Sequence, residues 1–177
     1  GKGDAINVSA TAKATVAVTN ADLGNNGNAL VVASTNADAV IDVDNVKVTG
    51  NTGDGVKVSA GASAEVDLDV ITVTGNGGDA VNVSAGASAS VDITGGLLDG
   101  NANGITVGAN GGTSAIALVD VDIINSTAPK GHAISSTSTG NATISITTSP
   151  NYGKRNRLED NGSGGNIIIL FRAKGDI

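Results

Sequence analysis

The feature that most constrains this chain is a near-repeat of about 25 residues. The segment GDGVKVSAGASAEVDLDVITVTGNG, residues 53–77, is followed directly by GDAVNVSAGASASVDITGGLLDGNA, residues 78–102. A period of this size is typical of stacked-repeat folds, in which each copy buries its apolar face against its neighbours. The opening of the repeat is a Gly or Ala, then a polar residue, a small residue and alternating aliphatic residues. It recurs at positions 3, 27, 53, 78, 102 and 131, and in degraded form at 165.

Each copy contains up to three short stretches in which apolar residues alternate with polar ones. This period of two predicts β-strands, and no stretch shows the longer period of a helix. The aliphatic residues that recur at fixed repeat positions are expected to point inward and to stack between copies. Those predicted to stack are Ile6, Val56, Val81 and Ile105 in the first stretch and Val66 and Val91 in the second.

Bends are predicted between the stretches. Four of the five residues between the second and third stretches tolerate the left-handed backbone conformation that a sharp bend requires. These five are Asn20, Asn45, Val70, Gly95 and Asp120. A second bend is expected at the pairs Gly24-Asn25, Gly50-Asn51, Gly75-Asn76 and Gly100-Asn101. Three strands and three bends per copy predict one coil of a β-solenoid.

Composition supports a thin solenoid core and excludes several classes of partner. The 177 residues contain one Tyr, one Phe, no Trp, no Met and no Cys, so small aliphatic side chains must fill the interior and no disulfide or thiolate metal site exists. The net charge of −7 disfavours nucleic acid as a partner. The longest apolar run, residues 166–171, is too short to insert across a membrane.

The repeat, with its Ser-, Thr-, Asn- and Gly-rich composition, resembles the right-handed parallel β-helix of the pectin-lyase-like superfamily over residues 3–170. It is most similar to the solenoids of bacterial surface adhesins and autotransporter passengers. The resemblance implies an all-β, single-stranded, right-handed parallel β-helix of six to seven coils and an extracellular or cell-surface location. We expect regular coils over residues 1–148, and a long loop and final strand over 149–177. Because enzymes, adhesins and inert stalks share this architecture, it does not by itself select a function.

One motif suggests catalysis. The string GHAIS at 131–135 is similar to the Gly-His-Gly-Ile-Ser motif of polygalacturonases, and RAK at 172–174 is similar to their Arg-Ile-Lys. The aspartate motifs that those enzymes also need are absent, and His132 falls on the repeat position that Asp54, Asp79 and Asn103 occupy. A turn residue explains His132, so we expect no catalytic residue. A carbohydrate-binding or polysaccharide-degrading β-helix remains the alternative, with cell-surface glycans as its partner.

Five aspartates form the candidate metal site. If alternate side chains of the second strand point outward, carboxylates from three successive coils fall into two columns. Neighbours in a column would lie about 5 Å apart and repel one another, and Ca²⁺ would relieve that repulsion. The alternative is a solvated acidic face softened by Lys47 and Lys57. The residues of the hypothetical Ca²⁺ site are Asp42, Asp44, Asp67, Asp69 and Asp92; no other cofactor is expected.

The ends of the stack suggest self-association. Residues 1–129 hold 14 acidic and 4 basic residues, whereas residues 130–177 hold 3 acidic and 6 basic ones. The last strand is apolar at every position, so it predicts either a cap over the final coil or a joint with the first coil of another copy. The assembly surface is predicted at Ile167, Ile168, Ile169, Leu170, Phe171, Tyr152, Arg155 and Arg157. The sequence therefore favours a non-catalytic structural solenoid, a stalk, adhesin segment or fibre subunit, that stacks head-to-tail.

Overall fold

The fold is all-β, as predicted. The computed structural model of the chain describes residues 3–128, 131–149, 156–159 and 161, together with the backbone of 167–171, and this part contains strands and no helix. In chain order the strands are β1 (Ile6–Ala10), β2 (Ala14–Thr19), β3 (Asp22–Gly24), β4 (Leu30–Ser34), β5 (Ala39–Asp44), β6 (Lys47–Thr49), β7 (Val56–Ala60), β8 (Ala64–Asp69), β9 (Thr72–Thr74), β10 (Asp79–Ala85), β11 (Ala89–Asp99), β12 (Asn103–Ala109), β13 (Ser114–Ile124), β14 (Ile134–Ser138), β15 (Ala142–Thr147), β16 (Arg157–Glu159) and β17 (Ile167–Phe171).

The strands stack in parallel on three faces of a solenoid of about six coils. The first face has seven strands in the order β1-β4-β7-β10-β12-β14-β17. The second face runs β2-β5-β8-β11-β13-β15, and the third runs β3-β6-β9-β11-β13-β16. β11 and β13 belong to both of these faces because each continues through the bend that separates two strands in the earlier coils.

The core is a continuous aliphatic column inside these three faces. Alternate residues of each strand point inward, and in the middle coils they are almost wholly buried. Val81, Val91 and Ile105 are each 0 % exposed, as the repeat predicted. Ile6, in the first coil, packs against the column but is half-buried because no described strand lies beyond it. The core therefore depends on the stacking of coils.

The bends between the second and third faces have the predicted left-handed backbone. Asn20, Asn45, Val70, Gly95 and Asp120 all have φ between 51° and 66°. The second bend is confirmed at Gly50, Gly75 and Gly100, where φ lies between 61° and 65°. In the first coil the bend also falls on the predicted pair Gly24-Asn25, and there Asn25 takes the positive φ.

The sixth coil is more regular than the sequence suggested. Residues 149–164 contain an insertion relative to the repeat, and we expected a loop there. Part of it forms β16, which pairs with β13 through Asp122↔Arg157, Ile123↔Leu158 and Ile124↔Glu159. The sixth coil thus has all three strands, because the apolar Leu158 between two charged residues satisfies the same alternation as the other third strands.

Candidate functional site

The acidic columns lie on the second face, as predicted. Asp42, Asp67 and Asp92 are register partners along β5, β8 and β11, and Asp44 pairs with Asp69. All five side chains are exposed. The pKa of the Asp67 carboxyl is raised, first by partial loss of solvation beside the neighbouring strands and then by the charges of Asp69, Asp92, Asp42 and Glu65. The columns are therefore a surface on which like charges repel one another.

The geometry does not add support for Ca²⁺ on this face. Among the residues that the structure describes, no group of three or more His, Cys, Asp or Glu side chains is arranged to hold a metal ion. The expectation that Lys47 and Lys57 soften this face is wrong. The Lys47 Nζ lies 3.7 Å from Asp22 on the third face, and the Lys57 Nζ lies 3.7 Å from Asp54 at the start of the first face.

His132 lies in a polar ladder formed by the opening residues of successive coils. In this opening ladder, the backbone N–H of Asp79 donates to Asp54 Oδ1 at 2.8 Å, and the Asn103 amide donates to Asp79 Oδ1 at 2.7 Å. The His132 backbone N–H continues the ladder to Asn103 Oδ1 at 3.3 Å, and its Nε2 lies 3.2 Å from Thr106 Oγ1. Burial lowers the pKa of the His132 imidazole. Residues at this repeat position thus join the backbone of one coil to the next by hydrogen bonds. In the sixth coil a histidine ring stands where the other coils have a carboxylate or an amide.

A second ladder of asparagines runs along the bend after the third strand, and sequence reasoning missed it. Asn51, Asn76 and Asn101 are each 2 % exposed. The Asn76 Oδ1 accepts both the backbone N–H and the side-chain amide of Asn51 at 2.9 Å, and the Asn76 amide donates to Asn101 Oδ1 at 2.7 Å. The asparagine ladder reaches Asn26 at one end, and at the other Asn161 accepts the Ser126 N–H. Recurrence of Asn at a spacing of 25 residues was the available signal.

A groove of about 520 Å³ lies at the corner between the second and third faces. Its polar wall carries the Asp122–Arg157 ion pair, with Nη1 and Oδ2 4.0 Å apart, and Arg157 also contacts Glu159 at 2.6 Å. Its apolar part includes Val70, a large hydrophobic side chain that is 60 % exposed. The lining residues are Val70, Ile71, Thr72, Gly95, Gly96, Leu97, Asp120, Asp122 and Arg157.

The two ends of the stack present parallel strand edges. At the first coil, β1, β2 and β3 pair on one side, with β4, β5 and β6, and pair with no further strand in the described part of the chain. At the other end, the strands with one described neighbour are β15, β16 and β17. Of the predicted assembly surface, Ile167, Ile168, Ile169, Leu170 and Phe171 form β17, and Arg157 lies on β16. Tyr152 and Arg155 fall outside the described residues.

The fold defines the chain as a parallel β-solenoid, and comparison with known proteins adds no narrower class. No family model, no curated protein and no solved structure shows a significant match to the chain. In the part of the chain that the structure describes, no helix is long and apolar enough to cross a membrane.

Proposed function

We propose that this chain is a non-catalytic structural β-solenoid of the cell surface, a stalk or fibre segment, and that its copies associate head-to-tail. The resemblance of its repeat to adhesin and autotransporter solenoids supports the location and the right-handed coil. Right-handed connections are also the rule between parallel strands of one sheet.

The observation that carries the proposal is the match between the first coil and the sixth. β1, β2 and β3 contain five, six and three residues. β14, β15 and β16 also contain five, six and three residues. A first coil laid on a sixth coil would therefore continue the ladder on the second and third faces without overhanging residues, and on the first face it would take the position that β17 holds on β14. Such strand addition satisfies edge N–H and C=O groups that water would otherwise bond.

The second face permits this contact because the carboxylate columns stop before the ends. The register places Thr15, Ala17 and Thr19 of β2 at the positions that follow Thr143, Ser145 and Thr147 of β15. None of these six side chains is charged, and threonine pairs across neighbouring strands are favourable. Head-to-tail stacking therefore brings no like charges together on this face.

The third face adds charge complementarity. Asp22 of β3 occupies the register position of Asp122, which pairs with Arg157 in the sixth coil. Asp22 of a second copy would therefore lie beside Arg157, and Leu23 would lie on Leu158 in the core. An opposite-charge pair across neighbouring strands contributes about 0.2–1 kcal/mol.

Sedimentation velocity of the full chain over a range of protein concentrations tests the proposal. We expect the parent chain to assemble. Each single variant, Asp22→Lys or Arg157→Glu, should raise several-fold the protein concentration at which half of the chains are assembled. The double variant should recover much of the loss, because the two charges are exchanged across the joint. Asp44→Lys is the matched control: it makes the same change in net charge on an acidic column away from the joint. A parent chain that stays monomeric at high concentration contradicts the proposal.

A second function is favoured by the corner groove. An exposed aliphatic side chain beside carboxylates and a guanidinium can pack against the apolar face of a sugar while bonding its hydroxyl groups. This arrangement supports the alternative of a carbohydrate-binding solenoid. Calorimetric titration with acidic and neutral oligosaccharides should then show binding that Arg157→Ala weakens and Asp44→Asn leaves unchanged. If no oligosaccharide binds the parent chain at millimolar concentration, the groove has no such role.

A further inference from the structure

We propose that β17 limits head-to-tail assembly. β17 pairs with the edge of β14 to which β1 of a second copy must bind, so the two strands compete for that edge. This inference rests on the proposed function and concerns its regulation. The partner that competes with β17 is a second copy of this chain, which binds through the edges of β1, β2 and β3 in its first coil.

The register shows that β1 and β17 are equivalent strands. Ile6 leads through register partners in β4, β7, β10 and β12 to Ile134 in β14, and Ile134 pairs in turn with Ile167. Both strands have five residues. β17 therefore lies on β14 as the first strand of a seventh coil, in the register that β1 has within the repeat.

The other two faces have no seventh strand in the described part of the chain. The first face has seven strands, whereas the second ends at β15 and the third at β16. A second copy that lays β2 on β15 and β3 on β16 must place its own β1 in the position of the seventh first strand. Since β17 occupies that position, the two strands cannot both be bound. If β17 stays, an arriving β1 can only lie one position further out, and its β2 and β3 are then left about 4.8 Å beyond contact.

The balance between the two occupants depends on protein concentration. The intermolecular joint pairs fourteen residues, in strands of five, six and three, whereas β17 pairs five. β17, however, is on the same chain and acts at the millimolar effective concentration typical of short tethers. The self-paired state is therefore favoured in dilute solution, and weakening β17 should move assembly to lower concentration.

A reversible lock on β17 tests this directly. Thr137 of β14 and Leu170 of β17 are register partners, so their Cα atoms are one strand spacing apart, which lies within the range a disulfide spans. The chain has no native cysteine. In the full chain carrying Thr137→Cys and Leu170→Cys, we expect oxidation to abolish assembly and reduction to restore it. Thr137→Ser with Leu170→Ser under the same oxidant is the control. Equal assembly of the oxidised and reduced forms overturns the inference.

Prolines in β17 test the opposite direction. Alternate residues of a parallel strand bond to alternate neighbours, so the pair Ile168→Pro and Ile169→Pro removes at least one donor to β14. We expect the protein concentration at which half of the chains are assembled to be at least tenfold lower for this proline variant than for the parent chain. Ile168→Thr with Ile169→Val keeps both donors and should behave like the parent. If the prolines reduce assembly instead, β17 is itself the joint and the inference fails.

The charge-exchange and proline experiments have outcomes that distinguish this inference from the proposed function. Should the parent chain assemble, with rescue by the Asp22/Arg157 exchange, while the prolines weaken assembly, the head-to-tail function stands and the role of β17 falls. Should the parent chain stay monomeric at high concentration, the proposed function itself falls, and this inference falls with it. Thermal melting of each variant establishes that the coils remain folded.

Discussion

At the scale of single residues, Val70 stands out because it combines a left-handed backbone with an exposed side chain. Its φ is 51°, and a β-branched residue is strained in this region. The equivalent residues Asn20, Asn45 and Gly95 take the same conformation at lower cost. The strain has no compensation in the core, since Val70 is 60 % exposed and lines the groove.

Val70→Asn should therefore stabilise the fold by about 1 kcal/mol. The measurement is the midpoint of urea unfolding. Val119→Asn is the matched control, since Val119 is a residue of β13 whose own φ is not positive, and asparagine is unfavourable in a strand. If Val70 serves carbohydrate binding, the same variant gains stability and loses affinity. A destabilised Val70→Asn contradicts the strain argument.

Asp67→Asn should stabilise the fold at neutral pH and have no effect in acid. The pKa of Asp67 is raised in the folded state, so the native chain binds more protons than the unfolded one and its stability falls as pH rises through that pKa. Removing the charge removes a repulsion of order 0.5 kcal/mol between neighbouring strands. Urea unfolding at pH 7 and pH 3 checks this. A gain that persists at pH 3 would assign the effect to something other than charge.

His132 should make the stability of the fold depend on pH in the direction opposite to Asp67, and over a higher pH range. Its pKa is lowered by burial, so the unfolded chain binds the proton more readily and stability is lost as pH falls below the usual value of about 6.5. His132→Asn places in the opening ladder the residue found at Asn28 and Asn103, and it should abolish the change in melting temperature between pH 7 and pH 5. Thr106→Val, which retains the ring, should keep that change. An unaltered pH profile in His132→Asn would contradict this assignment.

At the scale of elements, the bends are held by side chains as much as by backbone conformation. Asn51, Asn76 and Asn101 follow the left-handed glycines and turn inward. The backbone N–H groups of Asn51 and Asn76 each donate to the side-chain oxygen of the asparagine in the next coil, and the Asn101 amide donates back to Val73 O. Backbone groups at the bends lie between strands and outside the sheet ladders. The asparagine ladder supplies the partners that these buried N–H groups need.

Asn76→Ala should destabilise the chain by about 3 kcal/mol, because it leaves the buried N–H of Asn51 without its acceptor. Asn110→Ala is the control at an exposed asparagine. Asn76→Asp keeps an acceptor but sets a buried carboxylate against Asn101 Oδ1, and should be at least as damaging as the alanine variant. Chemical unfolding measures all three. Equal losses for Asn76→Ala and Asn110→Ala would show that the ladder is not a stabilising element.

These elements also show what a sequence of this kind reveals. The strands, the inward residues and both sets of bends were predictable because period-two alternation and the need for positive φ are local properties. β16 was missed because the insertion before it interrupts the repeat, although Leu158 keeps the alternation. The asparagine ladder was missed because Asn is also an ordinary exposed turn residue, and its burial arises only when coils stack. The acidic columns were placed correctly, whereas the ion pairs of Lys47 and Lys57 depend on side-chain directions that spacing does not determine.

At the scale of the whole molecule, the core weakens toward both ends. The inward residues of the second to fifth coils are almost fully buried, whereas most of those on β1 to β3, β15 and β16 pack only partly against the core; Ile134 of β14, on which β17 lies, is 0 % exposed. The partly buried set includes Ile6, Val8, Val18, Leu23, Ile144, Ile146 and Leu158. Each coil contacts only its neighbours, so local stability should follow this gradient.

Amide hydrogen exchange measured by NMR in dilute solution should therefore be slowest in β7, β8 and β10 and at least tenfold faster in β2, β3 and β15. Uniform protection in all coils would mean that the chain opens as a single unit and would contradict the gradient.

Repeated at a concentration where the chain assembles, the hydrogen-exchange experiment reports on the joint between copies. Head-to-tail contact should slow exchange in β2, β3, β15 and β16 and leave β8 unchanged, because only the terminal edges gain partners. Protection gained on the outer face of the middle coils would instead show side-by-side association, and the acidic columns make that contact repulsive. Raising the salt concentration separates the two modes, since screening should favour lateral contact and weaken the Asp22–Arg157 contribution to the joint.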